Sequence, residues 1–235
     1  MGISRPTLRR ERSLLRTGAI TVGMDEVGRG ALAGPVAVGA VVLSPNTGRP
    51  PAGVRDSKQL TPAARVALVQ PIRRWALATA VGMASAAEID EVGIIAALGR
   101  AGARALRAVG ALPIEVVLLD GNHDWLSPQL GPSEMVPPRV VTVVGGDRRC
   151  TSVAAASVLA KVTRDDLMVS VHEAHPDYGW DSNKGYAAAA HRAGLLEHGP
   201  CELHRRSWRL LDGAPAQPPE ERVSSNASGR VGSHV

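Results

Sequence analysis

Phenylalanine is absent from the 235 residues, and the only large aromatics are four tryptophans and two tyrosines. The interior of the fold must therefore be aliphatic, and a hydrophobic fraction of 44% supplies enough valine, leucine, isoleucine and alanine for one. With so few large rings, Trp180 and Trp208 read as packing anchors rather than base stackers. Cysteine is nearly as scarce: Cys150 and Cys201 are the only two, and neither belongs to a Cys-x-x-Cys motif. That excludes a disulfide framework and a zinc ribbon, and it favours a reducing, cytoplasmic compartment. No apolar run approaches the ~20 residues of a membrane span. Arg5, Arg9, Arg10, Arg12 and Arg16 crowd the N-terminus without a following apolar segment. Neither a secretory signal nor twin-arginine export is expected from that pattern. The chain also lacks a Walker A sequence, so an ordinary nucleotide triphosphatase is unsupported.

What is present is a net charge of +5 and a pI near 9.9, a balance that favours polyanionic partners. Residues 1–17 read as a basic arm, flexible or helical. Residues 213–235 are rich in proline, serine and glycine and read as a disordered tail. Between them, residues 18–212 form one domain. Its β-branched runs at 19–27 and 35–43 predict strands joined by a glycine turn. Thr61 and Pro62 start a helix as N-cap and first residue. Strand character returns from Trp75 to Ala84, and Ser85-Ala-Ala-Glu88 has capping-box spacing at the head of a helix reaching about Val109. Short apolar runs at Ile114–Leu119 and Val140–Val144 predict buried strands. Helices are expected over Thr151–Ala174, with Val153, Ala156, Leu159, Ala160 and Val162 on one side, and near Ala187–Glu197. This order predicts an α/β fold, a mixed sheet flanked by helices, with a helical C-terminal region.

Acidic residues cluster at element ends. Asp25 and Glu26 close the first strand, Asp120 closes the strand before Gly121, and Asp165 and Asp166 lie in the long helix. Hard divalent cations take oxygen ligands, one or two carboxylates plus substrate phosphate. A pair of ions ~3.5–4 Å apart can serve both the attacking and the leaving oxygen of a phosphoryl displacement. Consecutive strand residues point to opposite faces, so Asp25 and Glu26 reach one ion only if the strand is ending there or one of them acts through water or backbone. A lone strand-end aspartate equally suits a turn, and Asp165 and Asp166 equally suit a solvated helix face. Lys161 lies four residues before Asp165, where an ion pair is possible. No Ser/His/Asp arrangement stands out. Gly28-Arg-Gly30-Ala-Leu-Ala33 fits the loose dinucleotide fingerprint, but Gly34-Pro35 and a strand follow where a helix is required.

Asp25-Glu-Val-Gly-Arg-Gly30 resembles the signature of type 2 ribonuclease H, the ribonuclease HII family. Asp56-Ser-Lys-Gln-Leu60, Leu119-Asp-Gly121, Ala155-Ala-Ser-Val-Leu-Ala-Lys-Val-Thr-Arg-Asp165, Tyr178-Gly179, Asn183-Lys-Gly-Tyr186 and His204-Arg-Arg-Ser207 resemble further family motifs in the family's order, across residues 18–210. The resemblance implies a ribonuclease H-like fold: a mixed five-stranded sheet flanked by helices, plus a helical C-terminal region that helps hold substrate. It implies endonucleolytic cleavage of RNA–DNA hybrids and of single ribonucleotides in duplex DNA, with Mg²⁺ or Mn²⁺, two ions during catalysis, and 5′-phosphate and 3′-hydroxyl products. Asp25, Glu26, Asp120 and Asp165 match the metal-binding carboxylates. Gly28, Arg29 and Gly30 match the turn that feels the ribose 2′-hydroxyl, and Tyr186 the tyrosine that packs on the sugar at the RNA–DNA junction. Lys58, Ser157, Lys184, Arg205 and Arg206 are candidates for phosphate contacts, and His204 for a near-site acid/base or phosphate contact. The chain departs from the family at Gln59 (commonly Lys), Ala188 (commonly Thr) and Trp208 (usually Phe), which touches substrate grip rather than the carboxylates. Another metal-dependent nuclease of the same fold, or a non-catalytic nucleic-acid binding module, remain the alternatives. A monomer without membrane association is expected.

Overall fold

The computed structural model describes residues 5–131 and 137–211. The expected tail at 213–235 and the first four residues of the arm lie outside the described residues. Five strands form one sheet in the order β3-β2-β1-β4-β5: β1 (Ile20–Val27), β2 (Val36–Leu43), β3 (Ala78–Ala84), β4 (Ile114–Asp120) and β5 (Arg139–Val143). The hairpin neighbours β1–β2 and β2–β3 are antiparallel, whereas β1–β4 and β4–β5 are parallel. The mixed sheet follows from the chain's connections. A short turn joins β1 to β2, but a long helix must intervene before β4 can run alongside β1.

Helix α1 (Arg9–Leu15) precedes the sheet, and α2 (Pro62–Trp75) and α3 (Ala86–Ala108) follow β2 and β3. After β5 come α4 (Gly146–Arg149), α5 (Thr151–His172), α6 (Trp180–Asn183) and α7 (Ala189–His198). Thr61 caps α2 by accepting from the Ala64 N–H at 3.2 Å. Ser85 and Glu88 close the capping box of α3 in both directions. The first part of the expected β3 belongs instead to α2: Trp75 ends that helix and donates its indole N–H to the Gly48 carbonyl. Local helix propensity and a side-chain anchor outweigh strand character there. Glycine 93, with φ +78°, breaks α3 near its start.

Both sheet faces are covered. On one, Val22, Met24, Val38, Ala40 and Val42 pack against Ala97, Leu98, Ala101 and Ala105 of α3. On the other, Val41 and Leu43 meet Leu68 and Ile72 of α2 and Ala155, Ala156, Val158 and Leu159 of α5. The first ten residues of α5, Thr151–Ala160, are buried all round rather than on one side as the sequence pattern suggested. Alanines make this possible, because the helix axis can approach β1 and β2 where they carry glycine. A Cβ at Gly23 would collide with Ser152, and one at Gly39 with the Ala156 carbonyl.

The basic arm is not a free appendage over its described part. Leu8 and Leu15 join the core of the α2/α5 face. Glu11 of α1 is fully buried and accepts from the backbone N–H and hydroxyl of Ser152, both at 2.9 Å. Burial pushes the Glu11 carboxyl above its ordinary range, which the Ser152 bonds only partly offset. Beyond α5, Leu32, Ala33, Met168, Tyr178, Trp180 and Leu195 form a separate small core. It fastens the C-terminal helical region to the loop leaving β1. No helix among the described residues is long and apolar enough to cross a membrane.

Candidate active site

The site lies where β1 and β4 separate. Their parallel ladder ends at Met24↔Leu119, while β1 stays paired to β2 as far as Val27↔Ala37. The last residues of β1 are therefore open on their β4 side, and the geometric conflict posed by adjacent acids disappears. Asp25 is buried and Glu26 half-buried, yet one carboxylate oxygen from each and one from Asp120 all lie within 4.8 Å of one another. Asp25 also accepts from the Glu26 N–H at 2.8 Å. Asp120, the last residue of β4, accepts from the Gly146 N–H at 2.6 Å, which fixes its carboxylate against the turn after β5.

Packing like charges so closely perturbs them. The Asp25 carboxyl is raised well above the ordinary range by its burial, and then by the charges of Asp120, Glu26 and Asp147. Burial and Asp120 raise Glu26 in the same way, and Arg29, 3.7 Å from its carboxylate, only partly compensates. Asp147 is pushed up to about 6 by burial and by its neighbours Asp56 and Asp120. Lys58 is coupled electrostatically to this group. Partial burial works to lower its affinity for a proton, but Asp25, Asp56, Asp147 and Asp120 together hold it above the ordinary lysine value. A pocket of carboxylates that repel one another, built from oxygen donors alone, is what a hard divalent cation relieves.

The fourth acid differs from the sequence expectation. Asp165 is not brought to this group. It is half-buried on α5 and paired with Lys161 at 2.8 Å, the ion pair its spacing allowed. Asp147 stands there instead, buried in α4 and acting electrostatically on Asp25. A signal for it existed. Asp147 follows the strand Val140–Val144 much as Asp120 closes its own strand, so the rule that picks strand-end acids would have found it.

Three further candidates change role. Ser157 is buried, donates to the Ser57 hydroxyl at 2.7 Å and accepts from the Ser57 N–H, so it holds the loop carrying Lys58 rather than a phosphate. Arg205 has no exposed surface, and its guanidinium donates to the carbonyls of Gly28, Arg29 and Gly34. It supports the Gly28-Arg29-Gly30 turn from beneath rather than reaching substrate. His204 is buried between Trp180 and His191, 3.0 Å from the latter's Nε2, and burial with the neighbouring His191 pushes it down to about 4. A neutral imidazole walled off in this way is not placed as an acid/base.

Of the remaining candidates, Lys58 is exposed, Lys184 and Tyr186 are half-buried and Gly28 is buried. Arg29 and Gly30 are exposed, and Gly28, at φ +84°, adopts a conformation that disfavours any side chain. Lys184 and Tyr186 line a groove of about 430 Å³ shared with Lys161, Asp165 and Arg65. The Tyr186 ring is half-buried, 5.5 Å from Lys161 Nζ and 5.4 Å from the Arg164 guanidinium. Arg206 gives its backbone N–H to Asp90 at 2.9 Å.

A family model for ribonuclease HII matches residues 22–211. The chain belongs to the ribonuclease HII family. Membership makes it an endoribonuclease. A ribonuclease HII of Streptomyces avermitilis is 45% identical over 228 residues, covering 96% of this chain and 93% of its own. One from Nitrosococcus oceani is 45% identical over 192 residues, covering 82% and 90%. Among solved structures, the ribonuclease HII in a PCNA:RNase HII complex from Archaeoglobus fulgidus superposes with a TM-score of 0.66 at 28% identity, covering 81% of this chain and 94% of that one. The family assignment, the five-stranded mixed sheet and the acid cluster agree with one another. Ala188 is the N-cap of α7 and makes no side-chain capping bond.

Proposed function

We propose that this ribonuclease HII family member cleaves the RNA strand of RNA–DNA hybrids and single ribonucleotides embedded in duplex DNA, leaving 5′-phosphate and 3′-hydroxyl ends. The observation that carries this reading is the convergence of Asp25, Glu26 and Asp120 beside the exposed backbone of Arg29 and Gly30. Asp25, Glu26, Asp120 and Asp147 would hold Mg²⁺ or Mn²⁺. When bound, such ions supply an activated water and neutralise charge on the departing 3′-oxygen, two being the usual number for this displacement. The chain's own residues do the rest. The Gly28–Gly30 backbone approaches the sugar and senses the 2′-hydroxyl, the group that separates RNA from DNA. Tyr186 packs on the neighbouring sugar. Lys58 and Lys184 contact phosphates, which sets register without reading sequence.

The test uses a DNA duplex carrying one ribonucleotide, with Mg²⁺ or Mn²⁺, beside an all-DNA duplex and a reaction containing EDTA. Cleavage on the 5′ side of the ribonucleotide, dependent on metal and absent from all-DNA, is the expected result. Equal cleavage of the all-DNA duplex, or activity that survives EDTA, would overturn the reading.

A further inference from the structure

Two arginines, Arg164 of α5 and Arg205 of the C-terminal segment, are both fully buried beneath the Gly28–Gly30 turn. Their hydrogen bonds go to backbone carbonyls rather than to carboxylates. Arg164 donates to Pro35 at 2.8 Å, Lys184 at 2.9 Å and Ala33 at 3.0 Å. Arg205 donates to Gly28 at 2.6 Å, Arg29 at 2.9 Å and Gly34 at 3.1 Å. Burying a cation costs several kcal/mol, and apolar residues of similar volume are often the more stable filling. The charge of Arg164 also bears unfavourably on Arg205. Packing alone does not account for two of them here.

What a planar fork of donors does, and an apolar side chain cannot, is gather carbonyls from several loops at once. Arg164 ties the segment leaving the turn to the Lys184-Gly185-Tyr186 loop. The backbone reinforces that seam, since Leu32 and Ala33 both donate to the Gly185 carbonyl. Arg205 draws the Gly28 and Arg29 carbonyls inward. In a planar trans peptide the N–H opposes the C=O. The N–H groups of Arg29 and Gly30 are thereby turned away from the clamp, at residues that are exposed. Among the described residues neither has a protein acceptor. There is little slack in the seam. A Cβ at Gly28 would collide with the Arg164 side chain, and one at Gly185 would come within 2.6 Å of the Ala33 carbonyl oxygen.

We propose that Arg164 and Arg205 are positioning residues for substrate selection, locking the Gly28–Gly30 backbone donors and the Tyr186 ring into one rigid unit without touching substrate. The inference rests on the reading that this turn senses ribose and Tyr186 senses the junction. It implies that preference for a ribonucleotide followed by DNA depends on the clamp, while metal binding does not.

The experiment compares wild type, Arg164→Lys and Arg205→Lys on a duplex with one ribonucleotide and on a hybrid with a continuous RNA strand. Mn²⁺ binding is measured by calorimetry and folding by thermal melting. Lysine keeps the charge and loses the fork. The expected result is that kcat at the single ribonucleotide falls about 10- to 100-fold, as small misplacements do, while cleavage of the continuous RNA strand falls far less and Mn²⁺ affinity holds. A merely structural role would lower both activities in proportion. An unchanged ratio between the two substrates would overturn the inference alone, and a wild type inactive on the single ribonucleotide would overturn the reading beneath it as well. Should either lysine variant not fold, Gly185→Ala opens the same seam with both guanidiniums intact, and the same substrate ratio decides.

Discussion

Asp147 and Asp165 separate chemistry from proximity in sequence. Asp147 feels the charges of Asp120 and Asp56 and raises Asp25, whereas Asp165 is paired with Lys161 on α5. Asp147→Asn is therefore expected to weaken Mn²⁺ binding and lower metal-dependent cleavage by about 10- to 100-fold or more. Asp165→Asn should leave Mn²⁺ affinity within about twofold, as a change away from the site does. Calorimetry on the two variants checks both, and equal losses would return Asp165 to the metal site. Stability in EDTA should move the other way. Asp147 titrates near 6 in the fold, against ~3.9 when unfolded. Its burial as an anion thus opposes folding fully above about pH 6, and this opposition fades as pH falls toward ~4. Asp147→Asn should melt higher than wild type at pH 8 without metal, and the two should converge near pH 4. Solvent at the open side of the pocket keeps the gain modest; about 1 kcal/mol would read as roughly 2–4 °C. A variant that melts lower than wild type at pH 8 would refute the crowding account.

At the scale of elements, what the sequence disclosed was local and what it withheld was long-range. The capping box at Ser85–Glu88 and the β-branched runs of β1 and β2 follow from residues a few positions apart, and they form as read. Nothing local says that Glu11 will bond to Ser152, or that Arg205 will bond to Gly28, because those partners are joined only by the packing of α1 and of the C-terminal segment. The burial of α5 is long-range for the same reason. Thr151–Ala160 has one apolar stripe by pattern, but the glycines of β1 and β2 let an alanine-rich helix sink until all of it is covered. Helix α7 offers a test in the opposite sense, since its N-cap Ala188 has extended backbone, φ −80° and ψ 163°, with no side-chain acceptor for the first-turn N–H groups. A threonine hydroxyl fits that backbone and would accept one of them. Ala188→Thr is expected to add about 1 kcal/mol, roughly 2–4 °C in melting temperature. Differential scanning calorimetry would show it, and a fall would mean that the added methyl meets an obstacle at that position.

Across the whole molecule the charges are divided. The chain carries +5 overall, yet its candidate active site is acidic, with Asp25, Glu26, Asp120 and Asp147 gathered in one place. A polyanion is drawn by the net charge and repelled by the site itself until a divalent cation reverses the local sign. Two salt effects should therefore be separable. With metal saturating, NaCl weakens binding by competing at phosphate contacts, and log K falls linearly with log salt at about 0.9 per contact on duplex DNA. Lys58, coupled to the acid cluster, and Lys184, lining the groove beside Tyr186, are the proposed phosphate contacts, so Lys58→Gln and Lys184→Gln should each reduce that slope by about 1. Neither should change the preference for a single ribonucleotide over all-DNA, because a phosphate contact carries no information about the sugar. Titrations of a ribonucleotide-containing duplex at several NaCl concentrations, in Ca²⁺ to suppress turnover, would measure the slopes. A slope that stays at the wild-type value removes that lysine from the phosphate path. A preserved slope with altered preference would mean that the lysine acts through the protein rather than on the nucleic acid.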